Sequence, residues 1–361
     1  MKIGLYSPFL ADNIGGGERY LLAVAECLLP KHQVDLILPK LTPGLLEKFK
    51  RSFNLKLAGL NFVTGPFNPQ SSGLERTKFT RQYDIFYYMT DGSFFISRAK
   101  LNAVHFMIPF NQQPNLWQRF KLHTWQIKTA NSFFTKKHLE KNWHIQINYV
   151  HYPAAINPDF VGNLSKKNII LNVGRFFSSS NNKHCKRQDF LVETFKFLCD
   201  QGLKDWRLIL SGPVDHGQDN LKYAKKVARL AKGYPIILRH HGDFKQLQQD
   251  YNQAKIYWHA TGYDLDQENN PEAMEHFGIT TVEAMSAGAV PVVINKGGQP
   301  EIVEAGVNGL LWNDQSDLIK QTLAVIHDPK LLTKLQLKAR FRAKDFSKAK
   351  FCQQTYKIFN L

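Results

Sequence analysis

Cysteine is scarce in this chain, and long apolar runs are missing from it. The 361 residues include four cysteines, none in a CxxC pair and none spaced like a His/Cys metal site. This argues against a zinc site or a disulfide framework and is typical of a protein from a reducing cytoplasm. No run of about 18 apolar residues is present, so we expect no membrane-spanning segment. The opening MKIGLYSPFL, soon followed by Asp12 and Glu18, does not resemble a signal peptide.

Acidic residues are outnumbered by basic ones. The chain has 30 Asp and Glu against 47 Lys and Arg, which gives a formal net charge of +17. Such a field attracts nucleic acid, anionic lipid headgroups or phosphorylated small molecules, and charge alone does not rank these partners. The dinucleotide fingerprint is also missing, because DNIGGGERY is not GxGxxG and the next strand ends in Lys40 instead of an acid. A nicotinamide cofactor is therefore not expected.

Short apolar runs alternate with helical patterns along the whole chain. This alternation predicts an α/β fold with two doubly wound, Rossmann-like domains of parallel strands that face each other across a cleft. The pattern restarts after HYPAAINPDFVGNLSKKN, so we expect domains at residues 1–160 and 161–342, followed by a C-terminal helix at 343–361. The candidate strands are KIGLYSPF, QVDLILP, DIFYYMT, NAVHFMIP, QIKTA, INYVHYP, NIILNVG, WRLILSG, PIILRHHG, KIYWHA and AVPVVIN.

The run EHFGITTVEAMSAGAVPVVI, residues 275–294, places two glutamates around a predicted helix start. Gly278 precedes apolar residues at helical spacing, and Gly288 precedes a strand. A helix that begins at a glycine beside a strand end offers free N–H groups and a positive dipole end to a phosphate. Carboxylates accept hydrogen bonds from sugar hydroxyls, so Glu275 and Glu283 could clamp the two ends of a nucleotide sugar. The alternative is that both are solvated surface acids.

Two cations follow the first strand of the second domain. NIILNVG ends at Gly174-Arg175, and a polar loop rich in Lys and Arg then leads to the helical pattern QDFLVETFKFL. Held at a strand end, Arg175 and Lys186 could neutralise a diphosphate, Arg175 through its planar fork and Lys186 as a point charge. Surface solubility is an equal alternative for any one of these cations.

Weaker candidates lie elsewhere in the chain. Gly15–Gly17 follow the first strand, where glycines let a backbone approach a ligand closely, although a tight turn explains them equally well. His105 ends the apolar strand NAVHFMIP and could face the cleft, although a strand histidine is more often structural. Asp264 and Asp266 resemble a metal-binding DxD, but we interpret them as solvated loop residues and expect no metal site.

With these segments assembled, the chain resembles the GT-B glycosyltransferases, specifically the retaining family 4 (glycosyltransferases group 1). The resemblance implies a nucleotide diphosphate sugar as donor, UDP- or GDP-linked, with transfer by retention and without a metal or another cofactor. It also implies that the first domain is the acceptor side, that the second binds the nucleotide sugar, and that the C-terminal helix crosses back to the first domain. It extends over nearly the whole chain and rests on GGGER, TANSFFTKKHL, VHYPAAINPDF, GR…KRQDFLVETF, LILSGP, the E-x7-E block Glu275–Glu283 and GGQPEIVEAGVNGLLW.

The resemblance also implies a catalytic set of four residues. Arg175 and Lys186 would bind the donor diphosphate, Glu275 would contact the transferred sugar, and His105 would lie near the C6 hydroxyl of that sugar. The loop between Arg175 and Lys186 is longer than usual for the family, so Lys183 is an alternative, and the following RQD favours Lys186.

The resemblance implies further contacts with the sugar donor for the residues around the predicted helix start at Gly278 and for the glycine loop after the first strand. Glu283 would bond the ribose. The backbone of Phe277, Gly278 and Ile279 would meet the phosphates and the sugar. Gly16 and Gly17 would lie near the donor phosphates and the acceptor.

The stretch from Ser97 to Val150 is rich in cations and aromatic residues and contains one acid, Glu140. This composition suits a peripheral hold on an anionic membrane surface, and the alternative is a basic surface over aromatic core residues. The segment GLLEKFKRSFNLKLAGL could add an amphipathic helix. We expect a glycan or lipid-linked acceptor and a cytoplasmic protein, peripheral at the cytoplasmic face of the membrane.

Two other functions would use the same features. A nucleic-acid-binding protein or a DNA-modifying glycosyltransferase would exploit the positive field, but no motif that reads nucleic acid is present, so nucleic acid is not the expected partner. A sugar-nucleotide epimerase of the same fold would share the donor site and would need no acceptor.

Overall fold

The computed structural model describes residues 1–10, 15–40, 44, 45, 47, 49, 55–156, 160, 165–178, 184–240 and 243–361. The chain divides into two compact units. Unit 1 contains Met1–Ala154 together with Lys348–Leu361, and unit 2 contains Ala155–Ser347. The boundaries predicted from the sequence are residues 160 and 342, whereas the two units divide after Ala154 and after Ser347.

Unit 1 is built on a parallel sheet of seven strands in the order β3-β2-β1-β4-β5-β6-β7. Every side chain of the central strand β4 is buried, as expected for a strand covered on both faces. The strands are β1 Lys2–Tyr6, β2 Gln33–Leu38, β3 Asn61–Thr64, β4 Ile85–Thr90, β5 Leu101–Phe106, β6 Ile127–Ala130 and β7 Tyr149–Val150. Its first four described helices are α1 Gly16–Leu28, α2 Gly73–Thr80, α3 Leu116–His123 and α4 Phe133–Trp143.

Unit 2 is built on a parallel sheet of six strands in the order β10-β9-β8-β11-β12-β13. Those strands are β8 Lys167–Val173, β9 Arg207–Ser211, β10 Ile236–Arg239, β11 Ala254–His259, β12 Val290–Ile294 and β13 Leu310–Trp312. Its α-helices are α5 Gln188–Asp200, α6 Gln218–Ala231, α7 Phe244–Gln253, α8 Ile279–Ser286, α9 Gln299–Ile302, α10 Gln315–His327 and α11 Pro329–Ala343.

The order of strands in unit 2 reverses between β8 and β11, which pair with each other in parallel. In open α/β sheets, ligands bind outside the carboxyl ends of the strands at such a switch point. The loop after β8 leads to α5, which is fixed because Phe190, Leu191 and Phe195 are buried at helical spacing in the core of this unit. The residues that follow β8 and β11 are therefore held close to one another by the sheet itself.

The predicted fold class is confirmed, since both units are parallel sheets with Rossmann-like strand order. The structure contains a strand within each predicted strand segment. Two edge strands were not predicted, β3 and β13. β3 is partly exposed along its length and lacks the apolar run that marks a buried parallel strand, and β13 has only three residues, too few for such a run.

The C-terminal helix α12, Lys348–Phe359, belongs to unit 1 and packs on α1. Cys27 of α1 and Cys352 of α12 are joined by a disulfide, with their Cα atoms 5.2 Å apart. The expectation from the sequence was that the chain has no disulfide framework, and it did not include this single bond. That expectation rested on local cysteine spacing, whereas this pair is separated by 325 residues and meets only because α12 returns to unit 1.

In the part of the chain that the structure describes, no helix has both the length and the apolar composition needed to cross a bilayer. The segment GLLEKFKRSFNLKLAGL lies partly outside the described residues. The aromatic residues between positions 94 and 143 include buried and exposed side chains. Phe94, Phe95, Trp125 and Trp143 are buried in the core of unit 1, whereas Trp117 and Phe120 are exposed on α3.

Candidate active site

Lys186 and Glu275 form a largely buried ion pair at the switch point of unit 2. Lys186 lies in the loop after β8, two residues before α5 begins, and Glu275 lies between β11 and α8. The Nζ atom of Lys186 is 2.7 Å from Oε2 of Glu275, and both side chains are about 15% exposed (14% and 15%). The structure thus brings together two residues that lie 89 positions apart in the sequence.

Two histidines contact this pair, and His184 also lies near Glu275, with its Nε2 atom 3.8 Å from Oε1. Nε2 of His259, at the end of β11, lies 2.8 Å from Oε2 of Glu275. Nε2 of His184 lies 2.8 Å from Nζ of Lys186. Because the carboxylate accepts and the ammonium donates, His259 must donate through Nε2–H, and His184 must accept through an unprotonated Nε2. The two imidazoles therefore take opposite tautomers in their neutral forms.

The charges in this cluster favour an ionised glutamate between neutral histidines. Burial raises the pKa of Glu275, but the nearby Lys186, His184 and His259 outweigh burial and hold that pKa well below its usual value. Burial, followed by the charge of Lys186, lowers the pKa of His184. Burial also lowers the pKa of His259, against the opposing effect of Glu275.

Gly174 leaves room for the stem of Lys186. A Cβ atom at position 174 would lie 2.8 Å from Cγ of Lys186, closer than such atoms approach in proteins. The carbonyl oxygens of Gly174 and Arg175 both accept from the side-chain amide of Gln188, which ties the end of β8 to the start of α5. The two ends of the loop that carries Lys186 are thereby joined to each other.

Helix α8 begins directly after Gly278, three residues beyond Glu275. Gly278 has φ of +118°, a conformation that other residues rarely adopt, and a Cβ there would lie 2.5 Å from Nε2 of Gln299. The first helical residues, Ile279 and Thr280, have N–H groups with no acceptor inside the helix. Phe277 is buried beside this start. The arrangement offers amide donors and the positive end of the helix dipole within a few residues of the Lys186–Glu275 pair.

Glu283 lies one turn into α8 and is buried, at 7% exposure. The hydroxyl of Tyr251, on α7, donates to Oε2 of Glu283 over 2.8 Å. The solvated surface acid considered for this position is therefore wrong. Glu283 is a positioned carboxylate in the interior of unit 2.

Arg175 stands apart from the Lys186–Glu275 pair. Its Nη1 atom lies 3.4 Å from Oδ2 of Asp215, and about half of its side chain (47%) is exposed. Lys183, the alternative to Lys186, lies outside the described residues.

The residues that the sequence picked out in unit 1 occupy two places. Gly16 and Gly17 open α1, and the N–H of the preceding Gly15 donates to Glu18 over 2.8 Å. His105, at the end of β5, is fully buried and stacks on Tyr20 with ring centroids 4.1 Å apart. Gly16, Gly17 and His105 all belong to unit 1.

Both ring nitrogens of His105 are engaged. Nδ1 lies 2.8 Å from Oγ1 of Thr129, and Nε2 lies 3.2 Å from Sδ of Met107. These contacts match the structural alternative for this residue, and its role near the sugar stays a prediction.

The DxD residues take part in loop contacts. Oδ2 of Asp264 lies 3.4 Å from Nη2 of Arg187, and Oδ1 of Asp266 accepts the N–H of Glu268. Among the described residues, no group of three or more His, Cys, Asp or Glu side chains is arranged to hold a metal ion.

Three residues of the cluster escaped the sequence analysis: His184, His259 and Tyr251. His259 stood inside the predicted strand KIYWHA, where the apolar pattern conceals a polar residue, and its position at the strand end was the available signal. His184 and Tyr251 gave no signal, because their roles depend on contacts with residues distant in sequence.

Comparison with known proteins gives a family match over the second unit. The model of the family "Glycosyl transferases group 1" matches residues 156–342, slightly more than half of the chain. This span contains Lys186, Glu275, Glu283 and both histidines of the cluster.

Two curated relatives are similar in sequence. One is the GDP-Man:Man(3)GlcNAc(2)-PP-Dol alpha-1,2-mannosyltransferase of Dictyostelium discoideum, 25% identical over 282 residues, with 73% of this chain and 52% of that protein covered. Another is the alpha-1,3/1,6-mannosyltransferase ALG2 of Saccharomyces cerevisiae, 25% identical over 248 residues, with 62% and 48% covered. The chain spans about half the length of both relatives.

Solved structures match over nearly all of the chain. A glycosyltransferase from Rickettsia africae has a TM-score of 0.76 at 18% identity, with 99% of this chain and 98% of that chain covered. HepE from Anabaena, solved with UDP and glucose, has a TM-score of 0.69 at 18% identity, with 99% of each chain covered. At this identity the likeness shows the fold, and it confirms the predicted GT-B class.

Proposed function

The chain belongs to the family of group 1 glycosyl transferases, and from this premise we propose that it is a retaining enzyme of family 4. In the proposed reaction a hexose moves from a nucleotide diphosphate sugar to a hydroxyl of a glycan or lipid-linked acceptor. The observation that carries the proposal is the largely buried Lys186–Glu275 pair, in which Glu275 lies four residues before Ile279, the first residue of α8. A cation, a carboxylate and free helix N–H groups are thereby gathered at one place in unit 2.

Lys186 and the start of α8 would hold the diphosphate. An ammonium group has three N–H donors. Among the described residues those of Lys186 reach Glu275 and His184, and the third would bind a phosphate oxygen. The N–H groups of Ile279 and Thr280 would bind further phosphate oxygens. Arg175 would exchange its partly exposed bond with Asp215 for a phosphate, since such pairs hold weakly in water.

Glu275 would bind the sugar through its second oxygen. Oε2 is occupied by Lys186 and His259, whereas Oε1 accepts no hydrogen bond from the described residues. His259 and Lys186 together prevent rotation of the carboxylate, so Oε1 has a fixed direction. Glu283, held by Tyr251, would accept from the ribose.

The chemical step follows from where charge develops. The bond between the anomeric carbon and its phosphate oxygen breaks, and the electron pair stays on the diphosphate. A new bond forms between the same carbon and the acceptor oxygen on the same face of the sugar, and the acceptor proton passes to the departing phosphate oxygen. No side chain acts as a nucleophile. Lys186 and the helix N–H groups stabilise the charge of the leaving group, an effect that is usually a large part of catalysis.

The choice of donor and acceptor draws on the relatives. Both curated relatives are named as mannosyltransferases, and one name includes GDP-Man and a PP-Dol acceptor. We therefore propose GDP-mannose as the first donor to test, UDP-glucose as the second and a lipid-linked glycan as the acceptor class. The cationic groups around the diphosphate position support a reaction that needs no metal ion or other cofactor.

A membrane-facing surface on unit 1 is part of the proposal. On α3, Leu116, Trp117 and Phe120 are exposed, and the rings of Trp117 and Phe120 stack with centroids 5.3 Å apart. Nζ of Lys121 lies 5.3 Å from the Trp117 ring. Exposed aromatic residues beside cations suit the interface of an anionic membrane. Location at the cytoplasmic face stays a prediction, and the disulfide of unit 1 argues against a fully reducing compartment.

The proposal is tested by donor binding followed by product analysis. The purified protein is melted with UDP-, GDP- and ADP-sugars in turn, because a ligand that binds the folded state raises the melting temperature. The best donor is then incubated with and without a lipid-linked oligosaccharide, and nucleotide release and product anomer are measured. We expect acceptor-dependent release and an unchanged anomeric configuration. Conversion of the sugar without acceptor would indicate an epimerase, and failure of every donor to raise the melting temperature would overturn the proposed function.

A further inference from the structure

Helix α11 of unit 2 carries two large apolar side chains on its outer face. Leu337 is 66% exposed and Phe341 is 71% exposed. Four residues apart, they stand on the same side of the helix and form one ridge. The inner face of α11 is separate, since Leu335, Ala339 and Ala343 are buried. The ridge is therefore additional to the apolar face that anchors the helix to its own unit.

Cations flank this ridge on both sides. Lys334 and Lys338 are exposed along one side, Lys344 is exposed along the other, and Lys330 is exposed about two turns before Leu337 in line with the ridge. Arg340 is partly buried and donates to the carbonyl oxygen of Ala287. Residues 329–344 contain no acidic side chain. The ridge thus lies within a strip of positive charge.

Two open cavities adjoin the ridge and share Leu337 as a wall. One, of about 470 Å³, is lined by Phe341, Arg340 and Lys344 among others. Another, of about 640 Å³, is lined by Lys330, Lys334 and Lys338 with the side of the helix. Each is lined by both apolar and cationic residues.

We propose that this outer face of α11 docks on an anionic lipid surface, with Leu337 and Phe341 entering the acyl boundary and the flanking cations binding lipid headgroups. Apolar side chains between cations on the polar side of a helix are the pattern of an interfacial helix. The inference concerns a surface of unit 2 and does not depend on the proposed transfer reaction.

Charge argues against two other occupants. A second copy bound through the same face would bring the cations of both copies together, which costs free energy. A nucleic acid would bind the cations but would leave the apolar ridge in contact with its polar backbone. An anionic lipid surface satisfies both parts of the face.

Co-sedimentation with vesicles tests the proposal. The full chain is mixed with phosphatidylcholine vesicles, with and without phosphatidylglycerol, at low and high salt. The double variant Leu337→Ser/Phe341→Ser is compared with Leu221→Ser, a matched control because Leu221 is an exposed leucine (46%) beside Lys222 on helix α6 of the same unit. We expect the double variant to lower partitioning onto anionic vesicles about 10-fold and the control to stay within about 2-fold. Equal losses, or no loss in the double variant, would overturn the proposal.

A local readout separates this face from α3 of unit 1. In a Cys199→Ser background, Leu337→Cys is labelled with an environment-sensitive dye, and Gln249→Cys on α7 is the control. We expect a blue shift on anionic vesicles at position 337 and none at position 249. Loss of duplex DNA binding in the Leu337→Ser/Phe341→Ser variant equal to its loss of vesicle binding, or dissociation of a dimer in that variant, would assign the face to another occupant.

Discussion

The ammonium of Lys186 lies 2.7 Å from the carboxylate of Glu275. Two of its three N–H groups are already directed, one to Glu275 and one to His184. The position of the third is thereby fixed before a phosphate arrives. Preorganised donors of this kind cost no reorganisation at the moment of bond breaking.

His259 is expected to act by holding Glu275. His259→Leu removes the donor to Oε2 and should lower kcat roughly 10-fold, in line with a hydrogen bond to a charged group, with a smaller change in KM. His259→Gln retains an N–H near the position of Nε2 and should recover most of the rate. Steady-state kinetics of the two variants provide the measurement. Equal rates in the two variants would show that His259 serves packing alone.

Gly174 is expected to be required for the path of Lys186. In Gly174→Ala the new Cβ would collide with Cγ of Lys186, so the ammonium must move. We expect kcat to fall on the order of 10-fold, because small displacements of a positioning group have large effects on rate. Gly73→Ala is the matched control, since a Cβ at Gly73 meets no atom within 4 Å. A wild-type rate in Gly174→Ala would contradict this account.

Acid should destabilise unit 1 through His151. This residue is buried between Tyr20 and Phe351, and burial lowers its pKa from the ordinary 6.5 to about 4. Between pH 6.5 and about 4 the histidine is protonated in the unfolded chain and neutral in the folded protein, which favours unfolding. The full stability of the fold is therefore present above pH 6.5, and this part of it is lost as pH falls toward 4.

Between about pH 7.5 and about pH 5 the loss from His151 should be about 2 kcal/mol. Urea unfolding at both pH values gives the difference in the free energy of unfolding. In His151→Gln this difference should be smaller by the contribution of His151. The same substitution at the exposed His327 should leave the difference unchanged. An unaltered pH difference in His151→Gln would refute the prediction.

The Cys27–Cys352 disulfide should stabilise the packing of α12 on α1. Cys352→Ser is expected to lower the free energy of unfolding by about 2–4 kcal/mol, whereas Cys199→Ser, which removes a free thiol, should change it by less than about 1 kcal/mol. Thiol titration of the denatured protein should find two free thiols before reduction and four after it. Four reactive thiols before reduction would show that the bond is absent from the protein.

The sequence was sufficient for the architecture because buried parallel strands are continuous apolar runs. The edge strands β3 and β13 lack that signal, and they were missed. Cys27 can pair with Cys352 only because α12 packs on α1 in unit 1. The spacing of the cysteines in the sequence does not indicate this contact.

The candidate site could be predicted only as far as its motifs extend. Glu275, Gly278 and Glu283 lie in one segment whose spacing implies a helix start. Their partners come from other strands and helices, as with His259 for Glu275 and Tyr251 for Glu283. Such partners follow from the sheet topology and the packing, which became available only with the structure.

The turnover number of Lys186→Ala, measured with the best donor and acceptor, tests the central claim most directly. If Lys186 stabilises the departing diphosphate, kcat should fall by roughly 10²-fold or more. The control Lys222→Ala changes an exposed lysine of α6 and should keep the wild-type rate. A near-normal rate in Lys186→Ala would contradict the account and remove this lysine from the site.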